Sequence, residues 1–359
     1  MPSHTQIQTR HRPHSTSRQL LLMSTAHHSD NTIDGTPIPT LDDIASQHMT
    51  LSPWVARTPT FERHDFPTLE GTPINFKFEL LQVGGTFKTR GAFSHLLALT
   101  ESERDAGVTC VSAGNHAVAV AYTAMRLQIS AKVVMIKTAS PARLALCRRF
   151  GAEIVMAENG AEAFEIVRRI EAEEGRYFVH PFNSYRTIVG TSTLGYEWTS
   201  QAPDLDAVIL PIGGGGLAAG VSLAFRLANP SIHVYGVEPK GADAMGQSFA
   251  ANHTVKMGAM HSIADSLMAP HTEDYSYELC RRHIDRLVTV SDTELRHAML
   301  HLFNELKLAV EPACAAATAA LLGPLRETLQ GKRVGVLLCG TNTDSATLGK
   351  HLGMAAQDD

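Results

Sequence analysis

The chain has 359 residues, 44% of them hydrophobic and 19% charged, with a formal net charge of -5. That is a soluble globular composition of two-domain or two-lobed size, and it gives no reason to expect nucleic acid or an anionic membrane as a partner. No apolar run approaches the roughly 20 residues of a membrane helix, and the five cysteines (Cys110, Cys147, Cys280, Cys314 and Cys339) are scattered, odd in number and without a C-x-x-C pair. That usage points to a reducing, cytoplasmic setting and away from a disulfide framework or a zinc site.

Residues 1–37 read as a disordered extension, rich in His, Ser, Thr and Gln. Arg10, Arg12 and Arg18 precede the first acid, Asp30, which is the bias of a mitochondrial presequence. A plain floppy extension, or a start placed too early with Met23 as the true one, is the reading preferred. From residue 38 the chain is compact. A short helix is predicted over 38–49, a turn at Thr58-Pro59, a strand over 74–79 and a helix over 88–99. Strands over 108–111, 132–136, 153–156 and 177–179 then alternate with helices over 115–127, 141–150 and 161–174, the second opened by Ser140-Pro141 and closed by Gly151. A helix over 190–199 follows, then strands over 207–211, 233–237 and 287–290 and a helix starting at Leu217. Ser291-Asp292-Thr293-Glu294 is a capping box for a helix to Leu306. A small-residue helix over 311–322 precedes the last strand, 334–338. Strands alternating with helices give an α/β fold, with mostly parallel twisted sheets covered by helices on both faces.

Four stretches carry chemistry. Lys88 sits in Gly84-Gly85-Thr86-Phe87-Lys88-Thr89-Arg90-Gly91-Ala92, where a strand hands over to a helix. A lysine buried there can form a Schiff base with an aldehyde, although a helix-start lysine is also an ordinary surface residue. Gly213-Gly214-Gly215-Gly216-Leu217 follows a strand and opens a helix, so its N–H groups suit a phosphate. Gly213, Gly215 and Ala218 also fit a dinucleotide fingerprint, with Glu238 placed to hold a ribose. Ser112-Ala113-Gly114-Asn115-His116-Ala117 could hold a carboxylate on its amides and a phenolic oxygen on Asn115, or be a plain helix cap. Cys339 in Cys339-Gly340-Thr341-Asn342 could face a ring nitrogen, or be a buried structural thiol. All four lie where open α/β sheets bind ligands. Together they call for one ligand with an aldehyde, a phosphate and a ring nitrogen. Pyridoxal 5'-phosphate meets those demands, whereas a dinucleotide leaves Lys88 and Cys339 unused.

The motifs resemble those of the serine/threonine dehydratase family of fold-type II pyridoxal-phosphate enzymes, which also includes serine racemase. The family's SFKxRGA, SxGNHA, GGGGL and S/C-G-G-N appear as Thr86 to Ala92, Ser112 to Ala117, Gly213 to Leu217 and Cys339 to Asn342. Weaker echoes are His180-Pro181-Phe182, Ile263-Ala264-Asp265 and Glu311-Pro312-Ala313. The resemblance covers roughly residues 40–350 and implies a two-lobed molecule. Its large cofactor domain would span 38–105 and 183–352 and its small domain 106–182, with 353–359 as a tail, assembled as a homodimer. It implies that Lys88 binds the cofactor and then acts as base on the substrate Cα, and that Phe87 packs beside the ring. Asn115 would bond the ring hydroxyl, and Gly213, Gly214, Gly215, Gly216 and Leu217 the phosphate. Ser112, Gly114 and His116 would hold the substrate carboxylate, and Cys339 would face the ring nitrogen. A thiol is a weak acid, so the ring would be a modest electron sink that favours loss of a β-hydroxyl.

The implied activity is an ammonia-lyase that turns a β-hydroxy amino acid, L-threonine or L-serine first, into a 2-oxo acid and ammonia. A 3-hydroxyaspartate or arylserine dehydratase and a serine racemase are the enzyme alternatives, and a non-catalytic pyridoxal-phosphate carrier is the alternative from another class. Where the family often has GQGT, this chain has Gly190-Thr191-Ser192-Thr193, which opens the side-chain preference; Arg186 nearby could read a second carboxylate or simply be solvated. The metal-binding members' ligand positions fall on Glu238, Ala242 and Ala244, with Asp243 one residue early, which weakens a divalent-cation site that water could still complete, and no metal ligand is assigned. The racemases carry a serine at the second position of the Ser112 loop; here it is Ala113, which can neither give nor take a proton.

Overall fold

The computed structural model describes residues 31–358 apart from 67, 68 and 70. Most of the predicted N-terminal extension, with its presequence-like arginines and Met23, lies outside the described residues. Its last part corrects the expectation of disorder. Strands β1 (Thr32–Ile33) and β2 (Thr36–Pro37) form an antiparallel hairpin. The turn is Asp34-Gly35, with φ of 46° and 77°. Asp-Gly is the sequence that two consecutive positive φ angles prefer in a two-residue hairpin.

From residue 39 onward strand and helix alternate. Helix α1 (Leu41–Leu51) starts at a Thr40–Asp43 capping box and is followed by β3 (Thr60–Arg63) and β4 (Ile74–Lys77). Two 3-10 turns lead to α2 (Lys88–Leu96) and α3 (Glu101–Ala106). The next stretch holds β5 (Val108–Val111), α4 (Asn115–Leu127), β6 (Ala131–Ile136), α5 (Pro141–Arg149), β7 (Glu153–Ala157), α6 (Gly160–Glu174) and β8 (Tyr177–Phe178). After it come α7 (Tyr185–Gln201), β9 (Ala207–Pro211), α8 (Gly216–Ala228), β10 (His233–Pro239), α9 (Ala244–Ala251) and α10 (Asp274–His283). The chain ends with β11 (Arg286–Val290), α11 (Asp292–Leu306), α12 (Pro312–Leu322), α13 (Arg326–Leu329), β12 (Val334–Leu337) and α14 (Ser345–Asp358).

Two sheets result. The larger has the order β11-β10-β9-β12-β4-β3, parallel except for edge strand β3; the smaller is β7-β6-β5-β8, parallel throughout. Five helices escaped the sequence reading. Short α3, α9, α10 and α13 lack a long apolar period, and α14 lies where only a short trailing segment was expected. Helix α7 also starts earlier than predicted, because Ser184 caps the N–H of Thr187. Among the described residues no helix is long and apolar enough to cross a membrane.

The core of the larger sheet contains a buried charge network. Lys77, at the end of β4, donates to Glu197 Oε1 at 2.5 Å, to Thr58 O at 2.7 Å and to Gln201 Oε1 at 2.7 Å. Arg90, in the first turn of α2, donates from Nε to Glu79 Oε1 at 2.6 Å and from Nη2 to Glu79 Oε2 and Glu197 Oε2, each at 3.1 Å. All four side chains are buried. The network joins β4, the turn after it, α2 and α7. Removing one member strands the others in a dry interior, which costs about 3–5 kcal/mol. Lys77→Ala is therefore expected to lower the urea midpoint by that much stability. A loss below about 1 kcal/mol would show that water or a neighbour replaces the lysine.

Candidate active site

Backbone hydrogen bonds stitch the lysine loop to the loop after β12. Leu80 N donates to Leu338 O at 2.7 Å, Phe87 N to Cys339 O at 3.2 Å and Thr341 N to Gly85 O at 3.0 Å. Gly85 has φ of 69°, and a Cβ there would lie 2.7 Å from Asn342 Oδ1, so only glycine permits this approach. The stitching sets Lys88, the first residue of α2, beside Cys339.

The Lys88 amine donates to Pro181 O at 2.6 Å and lies 5.2 Å from the centre of the Phe87 ring. Among the described residues no carboxylate pairs with it. Burial pulls its pKa down to about 8, against a smaller opposing effect of the Cys339 sulfur. An amine near 8 is a usable nucleophile and base at neutral pH. Cys339 is itself pushed well up, first by its hydrogen bond with the Cys314 thiol and then by burial, so it stays a thiol.

In the glycine loop between β9 and α8, threonine hydroxyls hold two of the carbonyls. Gly214 O accepts from Thr272 Oγ1 at 3.1 Å and Gly216 O from Thr191 Oγ1 at 2.8 Å. The N–H groups of 213–217 donate to no acceptor among the described residues. A Cβ on Gly214 would stand 2.3 Å from the Phe182 ring, so the loop cannot carry a side chain on that face. Unpaired amides at the N-terminus of α8 form an anion cup.

The loop from β5 to α4 supplies the third wall. Ser112 Oγ accepts from Gly114 N at 3.0 Å, and His116 donates from Nε2 to Val179 O at 2.8 Å. Burial, then the Lys88 amine, holds His116 well below its usual range, so it is neutral. Asn115 donates from Nδ2 to Glu311 Oε1 at 2.6 Å and accepts from Asn342 Nδ2 at 2.9 Å. Those two bonds fix the direction of its amide, and its second N–H makes only a long contact, to Ser266 Oγ at 3.5 Å.

A cavity gathers Phe87, Lys88, His116, Gly216 and Leu217 with His180, Pro181 and Thr191. Asn115, Cys339, Ser112, Gly114, Gly213, Gly214 and Gly215 are not in its wall; Asn115 and Cys339 meet one another at Gly340, where a Cβ would lie 3.3 Å from Asn115 Nδ2. Two residues discussed from the sequence stand apart. Arg186 is exposed and does not line the cavity. Glu238 accepts from the N–H groups of Met245 and Gly246, both at 2.8 Å, and burial raises it to about 8.

The sequence reading missed the polar cluster behind Asn115. Arg143, from α5, forms an ion pair with Asp265 and donates to Ser266 Oγ at 3.1 Å, to Glu311 Oε2 at 3.3 Å and to Asn342 O at 3.2 Å. Asp265 and Glu311 belong to recognised short motifs but had no role there. Arg143 gives no signal at all, being one arginine in a helix with several.

The family model described as pyridoxal-phosphate dependent enzyme matches residues 51–340. The chain belongs to that family. It is 67% identical to the phenylserine dehydratase of Ralstonia pickettii over 90% of this chain and 99% of that one. It is 35% identical to the L-threonine ammonia-lyase of Thermotoga maritima, over 85% of this chain and 76% of that one. The structure of maize serine racemase superposes with a TM-score of 0.82 at 33% identity, covering 89% of this chain and 98% of that one. The residues present fit the cofactor. An amine with no carboxylate partner lines the same cavity as Gly216 and Leu217 of the free N–H cup, and a protonated thiol stands beside the amine. The protein is a pyridoxal-phosphate-dependent ammonia-lyase, and pyridoxal 5'-phosphate is its cofactor.

In protein stripped of cofactor, the rate of covalent capture of added pyridoxal 5'-phosphate should follow the neutral amine. It should rise as pH climbs through about 8 and level off above, where an ordinary lysine would give its rise near pH ~10. The borohydride-fixed adduct, read by absorbance, measures this, and Lys88→Ala should form none. A rise centred near 10 would mean that the amine is solvated.

Proposed function

We propose that the substrate is a β-aryl-β-hydroxy amino acid, phenylserine foremost, converted to an aryl 2-oxo acid and ammonia. The observation that carries this is the 67% identity to a phenylserine dehydratase along almost the whole of both chains. Relatives named for threonine, 3-hydroxyaspartate or serine stand at 34–36%. L-Threonine and L-serine therefore yield first place to the arylserine alternative. The exposure of Arg186, outside the cavity wall, speaks against a second substrate carboxylate as in 3-hydroxyaspartate.

The residues divide the work as follows. Bound in the cavity, the cofactor supplies the electron sink that acidifies the substrate's Cα–H. Lys88 holds the cofactor covalently and, once free, takes the Cα proton. The N–H groups of Gly213, Gly214, Gly215, Gly216 and Leu217 hold the phosphate. The Asn115 N–H that makes only a long contact with Ser266 Oγ would bond the ring oxygen, its direction set by Glu311 and Asn342. Phe87 would pack beside the ring, and the Cys339 thiol, a weak acid, would face the ring nitrogen without protonating it fully. Ser112, Gly114 and His116 would hold the substrate carboxylate, His116 through its backbone N–H, since its neutral ring already donates Nε2–H to Val179 O.

Release of 2-oxo acid from phenylserine, threonine, serine and 3-hydroxyaspartate tests the proposal. Phenylserine should lead threonine in kcat/KM by at least about tenfold, since replacing phenyl by methyl empties a large apolar contact. Threonine equal to phenylserine would return the enzyme to the threonine group. With Ala113 unable to move a proton on the second face, substrate recovered after half-turnover should keep its Cα configuration by chiral chromatography. Ala113→Ser should introduce measurable inversion.

A further inference from the structure

His180 has a use beyond the roles already assigned. It stands in the cavity wall with Lys88. Its Nδ1 accepts two backbone N–H bonds, from Phe182 at 3.3 Å and from Asn183 at 2.9 Å. An imidazole nitrogen that accepts two amides carries no proton, so the ring's proton sits on Nε2. Its plane is fixed as well. Phe178 meets it edge-on at 5.8 Å and 81°, and Phe182 at 4.9 Å and 84°. Nε2 has no hydrogen-bond partner among the described residues, although His95 and His116 nearby both have theirs. Burial, then the Lys88 amine, pushes His180 down to about 4, so the ring is neutral across the working range.

We propose that the Nε2–H of His180 is the hydrogen-bond donor to the substrate's departing β-oxygen, which makes His180 a catalytic residue. This rests on the ammonia-lyase reading above. The argument is one of position. Phosphate and carboxylate have donors in the Gly213 and Ser112 loops. Lys88, which takes the Cα proton, touches Pro181 O, the residue next to His180, so the atoms one bond beyond Cα face this wall. In the elimination the Cα–H pair becomes the Cα–Cβ double bond and the Cβ–O pair leaves on oxygen. That oxygen receives the proton Lys88 has taken and departs as water. His180 keeps its own proton throughout, stabilising negative charge on the oxygen while it builds.

The test uses the holoenzyme, phenylserine and β-chloro-L-alanine, whose chloride needs no donor to leave. His180→Phe keeps an aromatic ring between Phe178 and Phe182 but lacks the donor. Its kcat on phenylserine should fall roughly 10- to 100-fold, the worth of one hydrogen bond to a developing charge. The loss on β-chloro-L-alanine should be several-fold smaller, and the cofactor's absorption spectrum should not change. His180→Gln, which puts an N–H near the Nε2 position, should recover most of the rate. Nitrogen-15 spectra of histidine-labelled holoenzyme should show Nδ1 bare and Nε2 protonated at neutral pH. Equal losses on both substrates, a protonated Nδ1, or a Gln variant as slow as Phe would overturn the proposal. Wild-type enzyme inactive on phenylserine would defeat the substrate assignment instead, and the variants would then be compared on whichever β-hydroxy amino acid is turned over.

Discussion

The buried quartet of Lys77, Glu79, Arg90 and Glu197 is the constraint on which the site depends. Isolated, any of these charges would be expelled from a dry interior or lose its charge. Together they satisfy one another only if β4, the turn after it, α2 and α7 are all in place. Arg90 lies two residues beyond Lys88 on the same helix, so fixing the guanidinium fixes the root of the reactive lysine. The network thus turns an electrostatic liability into a positional reference for catalysis.

The same accounting explains why Lys88 is reactive. Among the described residues the buried carboxylates of this region are already committed, Glu79 and Glu197 to Arg90 and Lys77 and Glu311 to Arg143, which also pairs with exposed Asp265. No anion is left to hold the amine protonated, and burial brings it to about 8. The neighbouring histidines follow suit. His95 and His180 are pushed down to about 3 and about 4, each chiefly by burial, and His116 well below its usual range. The cavity is therefore lined by neutral donors around one titratable amine, which suits a reaction that moves a single proton between Cα and that amine.

Asn115 shows how the two sheets cooperate. It starts α4, which packs on the smaller sheet, yet its amide is oriented by Glu311 at the head of α12 and by Asn342 beyond β12. Arg143, on α5, reaches the same two elements. The smaller sheet's contribution to the site is thereby referenced to the larger sheet's frame. A shift between them would break several charge-assisted bonds at once.

The sequence by itself determined the alternation of strand and helix, the parallel sheets, the family and its cofactor. Those features are local: apolar runs, capping boxes, and glycine-flanked motifs whose chemistry is written in consecutive residues. Lys88, the Gly213 loop, the Asn115 loop and Cys339 were legible for that reason. What tertiary structure alone decided are matters of distance between residues far apart in the chain. The pairing of Lys77 with Glu197 spans 120 residues and that of Asn115 with Glu311 spans 196. No period or motif encodes either, because a buried charge or amide is specified by whichever group the fold brings opposite it. The tautomer of His180 is of the same kind. The sequence shows a histidine before a proline, but only the folded turn aims two amides at one ring nitrogen in the cavity wall and leaves the other without a partner among the described residues.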